Sequence, residues 1–369
     1  MQNSIPLSKP WLTRQEVKSV GKAIKSGWLT QNGSSVKQME NSLSEFLNPK
    51  SNVELDVTST FNGTNALHLA LISINLKPGD EVIIPNFCYI AVVNSVLYCG
   101  ALPILVDIEL DSWNIDMEKI LNAMTSKTKA IIFVDNYGRN CDYSKIKDLI
   151  PSEIKIIRDA AESFPGKNAD FITSDQVDLT TFSFYANKVF TSGEGGAVFG
   201  KKNLIEQIKS LKNHSLAAHN SFSHNAIGYN YRITNLQAAI FNSQWSRRAR
   251  ILKERQRVFR NYSASLLQHD LRFENNSNDN PWLFTMRIPS NLGLVEEIRK
   301  HLNSNFIETR PGFTALSKQS FLLDSVEIRG GIQNSLLLAQ ETLSLPTFPQ
   351  LSAKSINRII NIISKKLLL

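Results

Sequence analysis

Short apolar segments alternate with amphipathic segments along the first half of the chain. Five of them have the length and composition of buried strands: Glu81–Pro85, Leu102–Asp107, Lys129–Asp135, Ile154–Asp159 and Leu179–Tyr185. Segments with helical spacing of apolar residues accompany them, at Gly63–Ile74, Val92–Tyr98, from about Asp116, and at Tyr143–Leu149. This alternation predicts an α/β fold, a mostly parallel, doubly wound sheet covered by helices on both faces.

Two helices are predicted ahead of this sheet. Thr13 and Glu16 have the spacing of a capping box at the start of the first helix. Three apolar residues mark one face of that helix, Val17, Val20 and Ile24, and four mark a second helix, Val36, Met39, Leu43 and Phe46. The loop between the two helices carries Trp28 at its centre.

The last third of the chain has a different pattern. A long, basic helical stretch covers about Thr234–Arg257, and Pro281–Pro289 has the pattern of a strand. Helices are predicted at Val295–Ser304 and Ser355–Leu368. We therefore expect two domains, a large α/β domain over residues 1–245, with an N-terminal helical segment, and a small α+β domain over residues 246–369.

Composition is that of an ordinary globular protein, with 42% hydrophobic and 20% charged residues among 369. No apolar run reaches the roughly 20 residues needed to cross a bilayer, and no secretory signal opens the sequence. The three cysteines lack metal-ligand spacing and cannot all pair within the chain. These observations predict a cytoplasmic protein with reduced thiols, no metal site and no membrane association.

The net charge of +8 admits a nucleic-acid-binding protein as one interpretation. However, the sequence has no helix-turn-helix, zinc-finger or RNA-binding signature, and its lysines are scattered. A lysine-rich surface that favours small anionic substrates explains the charge better.

Candidate chemistry lies where the predicted strands end, since ligands of such sheets bind beyond the carboxyl ends of the strands. Lys188 follows a strand and precedes a glycine-rich turn, and such a lysine can form an imine with an aldehyde cofactor. Asp159 ends another strand, where a carboxylate can pair with a protonated pyridine nitrogen. Together they indicate pyridoxal 5'-phosphate.

A phosphate site completes this combination. Asn62, Gly63, Thr64 and Asn65 open a predicted helix, whose first-turn N–H groups favour an anion. Glycine allows close approach of the backbone, and the Ser183 hydroxyl can add a donor.

Several motifs resemble the nucleotide-sugar aminotransferases of the DegT/DnrJ type, which are fold-type I pyridoxal-phosphate enzymes. The resemblance covers nearly the whole chain and rests on the segments Ser26–Gln31, Asn62–Ala70, Gly79–Pro85, Asp159–Glu162, Ser183–Lys188, Gly193–Ala197, Gly228–Arg232, Asn235–Ala239 and Glu308–Pro311.

The resemblance implies a role for each matching residue. Lys188 would hold the cofactor and shuttle the proton, and Asp159 would pair with the ring nitrogen. Other roles follow: Tyr89 stacks on the ring, Thr64, Asn65 and Ser183 hold the phosphate, and Glu162 lies near the cofactor. Asn230 would reach the phosphate of a neighbouring subunit, because active sites of this family lie at a homodimer interface.

The implied reaction is transfer of an amino group from glutamate to a nucleotide-linked keto sugar. Lys188 favours this over the dehydration of relatives that carry a histidine there. The motifs at Gly228–Arg232 and Glu308–Pro311 resemble enzymes that aminate C-4 of 4-keto-6-deoxy sugars for O-antigen or other surface polysaccharides. A C-3 aminotransferase and a non-catalytic sensory or scaffold relative remain alternatives.

The loops predicted to line the sugar depart from the family pattern. Candidate substrate residues are Trp28, His219, His224 and Arg310. Elsewhere, Asp135-Asn136 stands where many members carry a histidine, and Arg158 is an unusual residue before Asp159. These departures place the identity of the sugar in doubt more than the cofactor chemistry.

Overall fold

A computed structural model describes residues 4–47, 54–142, 149–165, 176–217, 222–269, 280–292 and 295–367. The predicted helix Tyr143–Leu149 lies outside these ranges except for Leu149. His219 also lies outside them. Within them, no helix combines the length and apolar character needed to span a membrane.

Strands within the described ranges form two sheets. The strands are β1 Leu55–Thr60, β2 Glu81–Pro85, β3 Leu102–Val106, β4 Thr128–Val134, β5 Lys155–Asp159, β6 Leu179–Ser183, β7 Gly196–Lys201, β8 Phe284–Arg287, β9 Arg310–Pro311, β10 Glu327–Ile328 and β11 Thr342–Leu345. The larger sheet has the order β1-β7-β6-β5-β4-β2-β3-β10, and the smaller has the order β8-β11-β9. The five strands predicted in the first half are all present, with ends that differ by no more than two residues.

Helices in the same ranges cover the two sheets. They are α1 Arg14–Lys25, α2 Ser34–Leu47, α3 Gly63–Ser73, α4 Ala91–Tyr98, α5 Met117–Ala123, α6 Lys202–Leu211, α7 Asn235–Ser246, α8 Arg248–Gln268, α9 Val295–Ser304, α10 Gln333–Glu341 and α11 Ala353–Leu367. One core cluster joins α3, α4 and α6 to the sheet, and another joins α2 and α7 to it. The predicted α/β architecture is therefore confirmed.

Two strands that our prediction did not include lie side by side at one edge of the larger sheet. β7 is antiparallel to both β6 and β1, whereas neighbours from β6 through β3 pair in parallel. β7 contains two glycines, and β1 reads Leu-Asp-Val-Thr-Ser-Thr, so neither has the apolar run that identified the others. Their antiparallel pairing brings the loop after β6 back beside the start of α3.

The smaller sheet is antiparallel, and α8, α9 and α11 surround it with a core of their own. Many contacts connect this region to the rest of the chain, and two of them are strand pairings. Ile5 bridges Ile307, and β10 pairs in parallel with β3 of the larger sheet. The division at residue 245 therefore stays a prediction.

The predicted helix α1 and its capping box of Thr13 and Glu16 form, but its apolar face is exposed within the chain. Val17 and Ile24 are 73% and 56% exposed, whereas Glu16 is buried against α7. The Glu16 carboxylate is held there because it accepts hydrogen bonds from Ser243 Oγ at 3.0 Å and Gln244 Nε2 at 2.8 Å. Saturated hydrogen bonding makes a buried carboxylate tolerable and leaves the apolar face outward.

The predicted helical stretch over about Thr234–Arg257 is present, but it divides at Arg247 into two helices. This residue has φ −108° and ψ 13°, and it separates α7 from α8. Its guanidinium pairs with Glu16 and donates to the Trp11 carbonyl at 2.9 Å. The break therefore coincides with the residue that fixes the start of α1 beside the end of α7.

Candidate active site

Lys188 lies in the connection between β6 and β7, which folds back on itself. The amide of Phe184 donates to the carbonyl of Gly195, and the amide of Ser192 donates to the carbonyl of Phe184. A turn from Tyr185 to Lys188 closes with a 2.9 Å hydrogen bond between their backbones. The lysine side chain is only 14% exposed. The fold thus holds one amine at the carboxyl end of β6, largely shielded from water.

Asp159 ends β5, which pairs in parallel with β6 and therefore brings the carboxylate to the same sheet edge. Its Oδ1 accepts a hydrogen bond from the Ala161 amide at 3.0 Å. Burial raises the pKa of the Asp159 carboxyl to about 6, against the opposing effects of the Ala161 amide and the Lys188 charge. A carboxylate in this position gains from a cationic partner.

Glu162 is the closest described acid to the amine. Its Oε1 lies 3.7 Å from Lys188 Nζ, and its Oε2 accepts a 2.7 Å hydrogen bond from the Tyr137 amide. Burial raises the pKa of Glu162 to about 7, although the Lys188 charge opposes the change. Burial also lowers the pKa of Lys188, against the attraction of Glu162 and Asp159. The site therefore favours a neutral amine more than water does.

The predicted phosphate site forms the start of α3. Asn62 caps this helix, since its side chain accepts a 2.9 Å hydrogen bond from the Asn65 amide. Gly63 packs so closely on β6 that an added Cβ would lie 2.8 Å from Ser183 Cβ. The predicted donors Thr64 and Ser183 therefore lie at one helix N-terminus, and only glycine fits at this contact.

Sequence reasoning missed an aromatic row that links Tyr89 to the lysine. Tyr89 lies 6.0 Å from Phe313, and Phe313 stacks on Tyr137 at 4.8 Å. Tyr137 in turn stacks on Trp282, whose ring lies 4.0 Å from Lys188 Nζ. Trp282 is far from the lysine in sequence, and the apolar pattern around it predicted only a strand. Tyr89 itself is 57% exposed, so one side of its ring remains open.

The two departures noted beside Asp159 compensate each other. Arg158 Nε and Nη2 donate to Asp135 Oδ2 at 2.8 and 2.5 Å, and both side chains are buried. Ser163 Oγ donates to the same oxygen at 2.5 Å. The pair lies directly behind Asp159, since the Asp135 amide donates to the Asp159 carbonyl at 3.1 Å. Unusual residues at two separated positions therefore make one buried ion pair.

The remaining predicted residues that belong to the described ranges lie on the surface of the chain. Asn230 is exposed, and its Oδ1 accepts a 2.8 Å hydrogen bond from Arg232. Trp28 is 53% exposed, Arg310 is exposed in β9, and exposed His224 contacts the His214 carbonyl. Their surface positions give no contact with Lys188, so their roles stay predictions.

The described residues fit pyridoxal phosphate. Asp159 and Glu162 carry two buried carboxyl groups against the one ammonium of Lys188. When the two carboxyl groups and the amine are all ionised, the cluster carries a net charge of about −1. A protonated ring nitrogen of the cofactor would neutralise it. The α3 N-terminus, cleared by Gly63, suits a phosphate.

Comparison with known proteins identifies the chain. Residues 10–364 match the DegT/DnrJ/EryC1/StrS aminotransferase family. The protein belongs to this family. Among its relatives, GDP-perosamine synthase of Escherichia coli O157:H7 is 33% identical over 95% of each chain, and that of Vibrio cholerae is 32% identical over 97% of this chain and 98% of the relative.

Solved structures agree with this membership. A DegT DnrJ EryC1 StrS aminotransferase from Brucella abortus is 25% identical, with a TM-score of 0.83 over 96% of this chain and 95% of the other. The GDP-4-keto-6-deoxy-D-mannose-3-dehydratase of E. coli, solved with bound hydrated PLP, shares the fold at TM-score 0.85 and 20% identity, over 97% and 98% of the two chains. The predictions of a DegT/DnrJ-type aminotransferase, of its fold and of pyridoxal phosphate as cofactor are confirmed.

Proposed function

We propose that this aminotransferase moves the amino group of glutamate to the C-4 keto group of a nucleotide-linked 4-keto-6-deoxyhexose. We further propose that it works in the cytoplasm and that its product enters O-antigen or another surface polysaccharide. One observation carries the chemical part of the proposal. A shielded lysine lies 3.7 Å from a buried glutamate and shares its sheet edge with a buried aspartate.

Lys188 is the proposed proton carrier and covalent anchor. When bound, pyridoxal phosphate supplies a ring that withdraws electrons from the carbon bearing the amine. Lys188 then has to accept and return a proton as a neutral amine, and burial favours that form because it lowers the pKa of the ammonium. Glu162 orients the amine from 3.7 Å, fixed in turn by the Tyr137 amide.

Asp159 is the proposed partner of the ring nitrogen. Its carboxyl has a pKa raised to about 6 by burial, so it gains most from a neighbouring cation. Tyr89 is proposed to cover one face of the ring with its open side. The phosphate would bind at the start of α3, to Gly63, Thr64 and Asn65, with the hydroxyl of Ser183 beside them.

The proposed assembly is a homodimer with shared active sites. Asn230 supports this, because its side chain is exposed on the chain that carries it, next to the ordered guanidinium of Arg232. The exposed apolar residues of α1, Val17 and Ile24, also suit a surface covered by a second subunit.

The proposed substrate takes support from relatives. Two are GDP-perosamine synthases that are 33% and 32% identical across nearly their whole length. GDP is therefore the first nucleotide to test, and Trp28, His219, His224 and Arg310 are the candidate sugar contacts.

Amination of a panel of keto sugars tests this proposal. Purified protein, pyridoxal phosphate and glutamate are incubated with GDP-, dTDP- and UDP-linked 4-keto- and 3-keto-6-deoxyhexoses, and products are identified by NMR. We expect a 4-amino sugar from one nucleotide. A 3-amino product would replace the C-4 assignment, and no amination of any substrate by cofactor-loaded protein would refute the proposal.

A further inference from the structure

Trp282 contacts Lys188 in two ways. Its ring lies 4.0 Å from Lys188 Nζ, on the small-domain side of the site. Its indole Nε1 donates a 3.0 Å hydrogen bond to the carbonyl of Asn187, the residue just before the lysine. One buried side chain therefore contacts both the peptide group that precedes the lysine and the lysine amine.

Arg255 fixes both Trp282 and the lysine loop. This buried residue of α8 donates through Nη1 to the Trp282 carbonyl at 2.7 Å, and through Nη2 to the Lys188 carbonyl at 3.3 Å. Its hydrogen bonds within the described residues all go to carbonyl oxygens, of which the third is that of Pro281. Burial without a carboxylate lowers the pKa of Arg255 to about 10. A guanidinium kept in such a costly place holds the two segments together.

We propose that Trp282 is a positioning residue for Lys188, which fixes the lysine backbone through its N–H and stabilises the ammonium against its ring face. This rests on the proposed role of Lys188 as cofactor anchor. The ring face of tryptophan attracts a cation, and the attraction grows where water is excluded. Burial favours the neutral form of the Lys188 amine, and the ring of Trp282 opposes this effect by stabilising the charged form.

Charged groups on other sides of the amine act together with the ring. Asp159 at the end of β5 and Glu162 in the turn after it attract the ammonium, and Arg255 contacts the lysine backbone through its carbonyl. Substitution of Trp282 leaves these three side chains in place. A shift in the titration of Lys188 therefore measures the effect of the Trp282 ring on the amine.

The test uses the rate at which the cofactor-free full chain recombines with pyridoxal phosphate, followed by visible absorbance from pH 6 to 10. Only a neutral amine attacks the aldehyde, so the rate rises through the pKa of Lys188. Trp282→Phe keeps a ring and removes the N–H. Trp282→Met keeps an apolar side chain at this position and removes the ring. Trp245→Phe is the matched control, since Trp245 is buried in the same core and packs on Phe164.

We expect Trp282→Met to lower the midpoint of the pH profile by between about half a unit and about one and a half units. Trp282→Phe should keep the midpoint and reduce the plateau rate by about twofold to tenfold, because the bond to Asn187 is lost. Trp245→Phe should change neither. Thermal unfolding of each variant confirms that it is folded, and a merely structural role would alter that stability alone.

An unchanged or raised midpoint in folded Trp282→Met would overturn the inference. This outcome differs from failure of the proposed function, since recombination needs neither glutamate nor a sugar. A wild-type chain that recombines but aminates no keto sugar would refute only the function. If wild type forms no visible band, both fail. If the Trp282→Met variant does not fold, a lower midpoint in Trp282→Leu supports the inference and an unchanged one contradicts it.

Discussion

Two clusters that each combine buried carboxyl groups with a basic side chain lie at opposite ends of the parallel part of the larger sheet. At the amino end of β2, Glu81 accepts two hydrogen bonds from Arg329, at 2.7 and 2.8 Å, and others from Thr125 and Thr128. These hydrogen bonds lower the pKa of Glu81. At the carboxyl end of β5, burial instead raises the pKa of Asp159 to about 6.

The difference lies in how fully each carboxylate is paired. Glu81 has donors for both of its oxygens, so its ionised form is favoured and it stabilises the fold. Asp159 and Glu162 share one ammonium, and their ionised forms remain costly within the cofactor-free chain. One end of the sheet is complete by itself, and the other is, in our proposal, completed by a cationic ligand.

The largest effect should follow from removing the amine. Lys188→Ala should bind pyridoxal phosphate non-covalently and lower turnover at least about a thousandfold, since the proton carrier is lost. Turnover with glutamate and an accepted keto sugar measures this. Lys201→Ala removes a partly exposed lysine paired with Asp178 elsewhere in the sheet and should keep turnover within about twofold. Comparable losses in both variants would contradict the assignment.

Disrupting the cluster of Glu81 and Arg329 should lower the stability of the fold and leave cofactor binding unchanged. Arg329→Met leaves Glu81 buried without its main partner and should lower the free energy of unfolding by about 3 kcal/mol at pH 7. Because the pKa of Glu81 is lowered on folding, the contribution is present above the ordinary carboxyl pKa and lost as pH falls through the lowered value. Urea unfolding at pH 7 and pH 3 measures both. A large loss of cofactor affinity in folded Arg329→Met would break the comparison.

The contribution of the Asp159, Glu162 and Lys188 cluster to stability should have the opposite dependence on pH. The pKa of Asp159 is raised on folding, so its contribution is fully present below about pH 4 and lost as pH rises through about 6. Cofactor-free Asp159→Asn should therefore gain up to about 2 kcal/mol relative to wild type between pH 4 and pH 7.5. Urea unfolding at the two pH values tests the sign. A gain that shrinks with rising pH would show that Asp159 is already paired.

The smallest effect should come from closing the space at the phosphate site. Gly63→Ala places a Cβ 2.8 Å from Ser183 Cβ and should weaken pyridoxal-phosphate binding about tenfold by shifting the start of α3. Lys201→Ala is again the control, because its partly exposed side chain pairs with Asp178 elsewhere in the sheet. Equilibrium titration of the cofactor measures both. Equal affinities would mean that the contact tolerates a methyl group.

Patterns along the chain predicted the parts of the fold that depend on local apolar runs. The strands ending at Asp159 and Ser183 were recognisable for this reason, and strand ends then located the acid and the lysine region. β1 and β7 were not recognisable, since threonine, serine and glycine replace the apolar run and the strands gain stability from pairing with each other.

Contacts between distant segments lay beyond such reasoning. Trp282 and Arg255 reach Lys188 from other parts of the chain, and no local pattern distinguishes them from other core residues. Glu16 was recognised as a cap, but its burial depends on Ser243, Gln244 and Arg247, which lie in and directly after α7. Pattern analysis therefore identified the chemistry of the site better than the scaffold that fixes it.

The buried pair of Arg158 and Asp135 has a consequence for protein engineering. Replacing either residue alone leaves the charge of the other buried beside Asp159 without its ionic partner. Replacing both by neutral residues of similar size removes both charges together. A double-mutant cycle should therefore reveal strong positive coupling. Removing this ion pair requires two simultaneous exchanges, so a library of single substitutions would never contain the working combination.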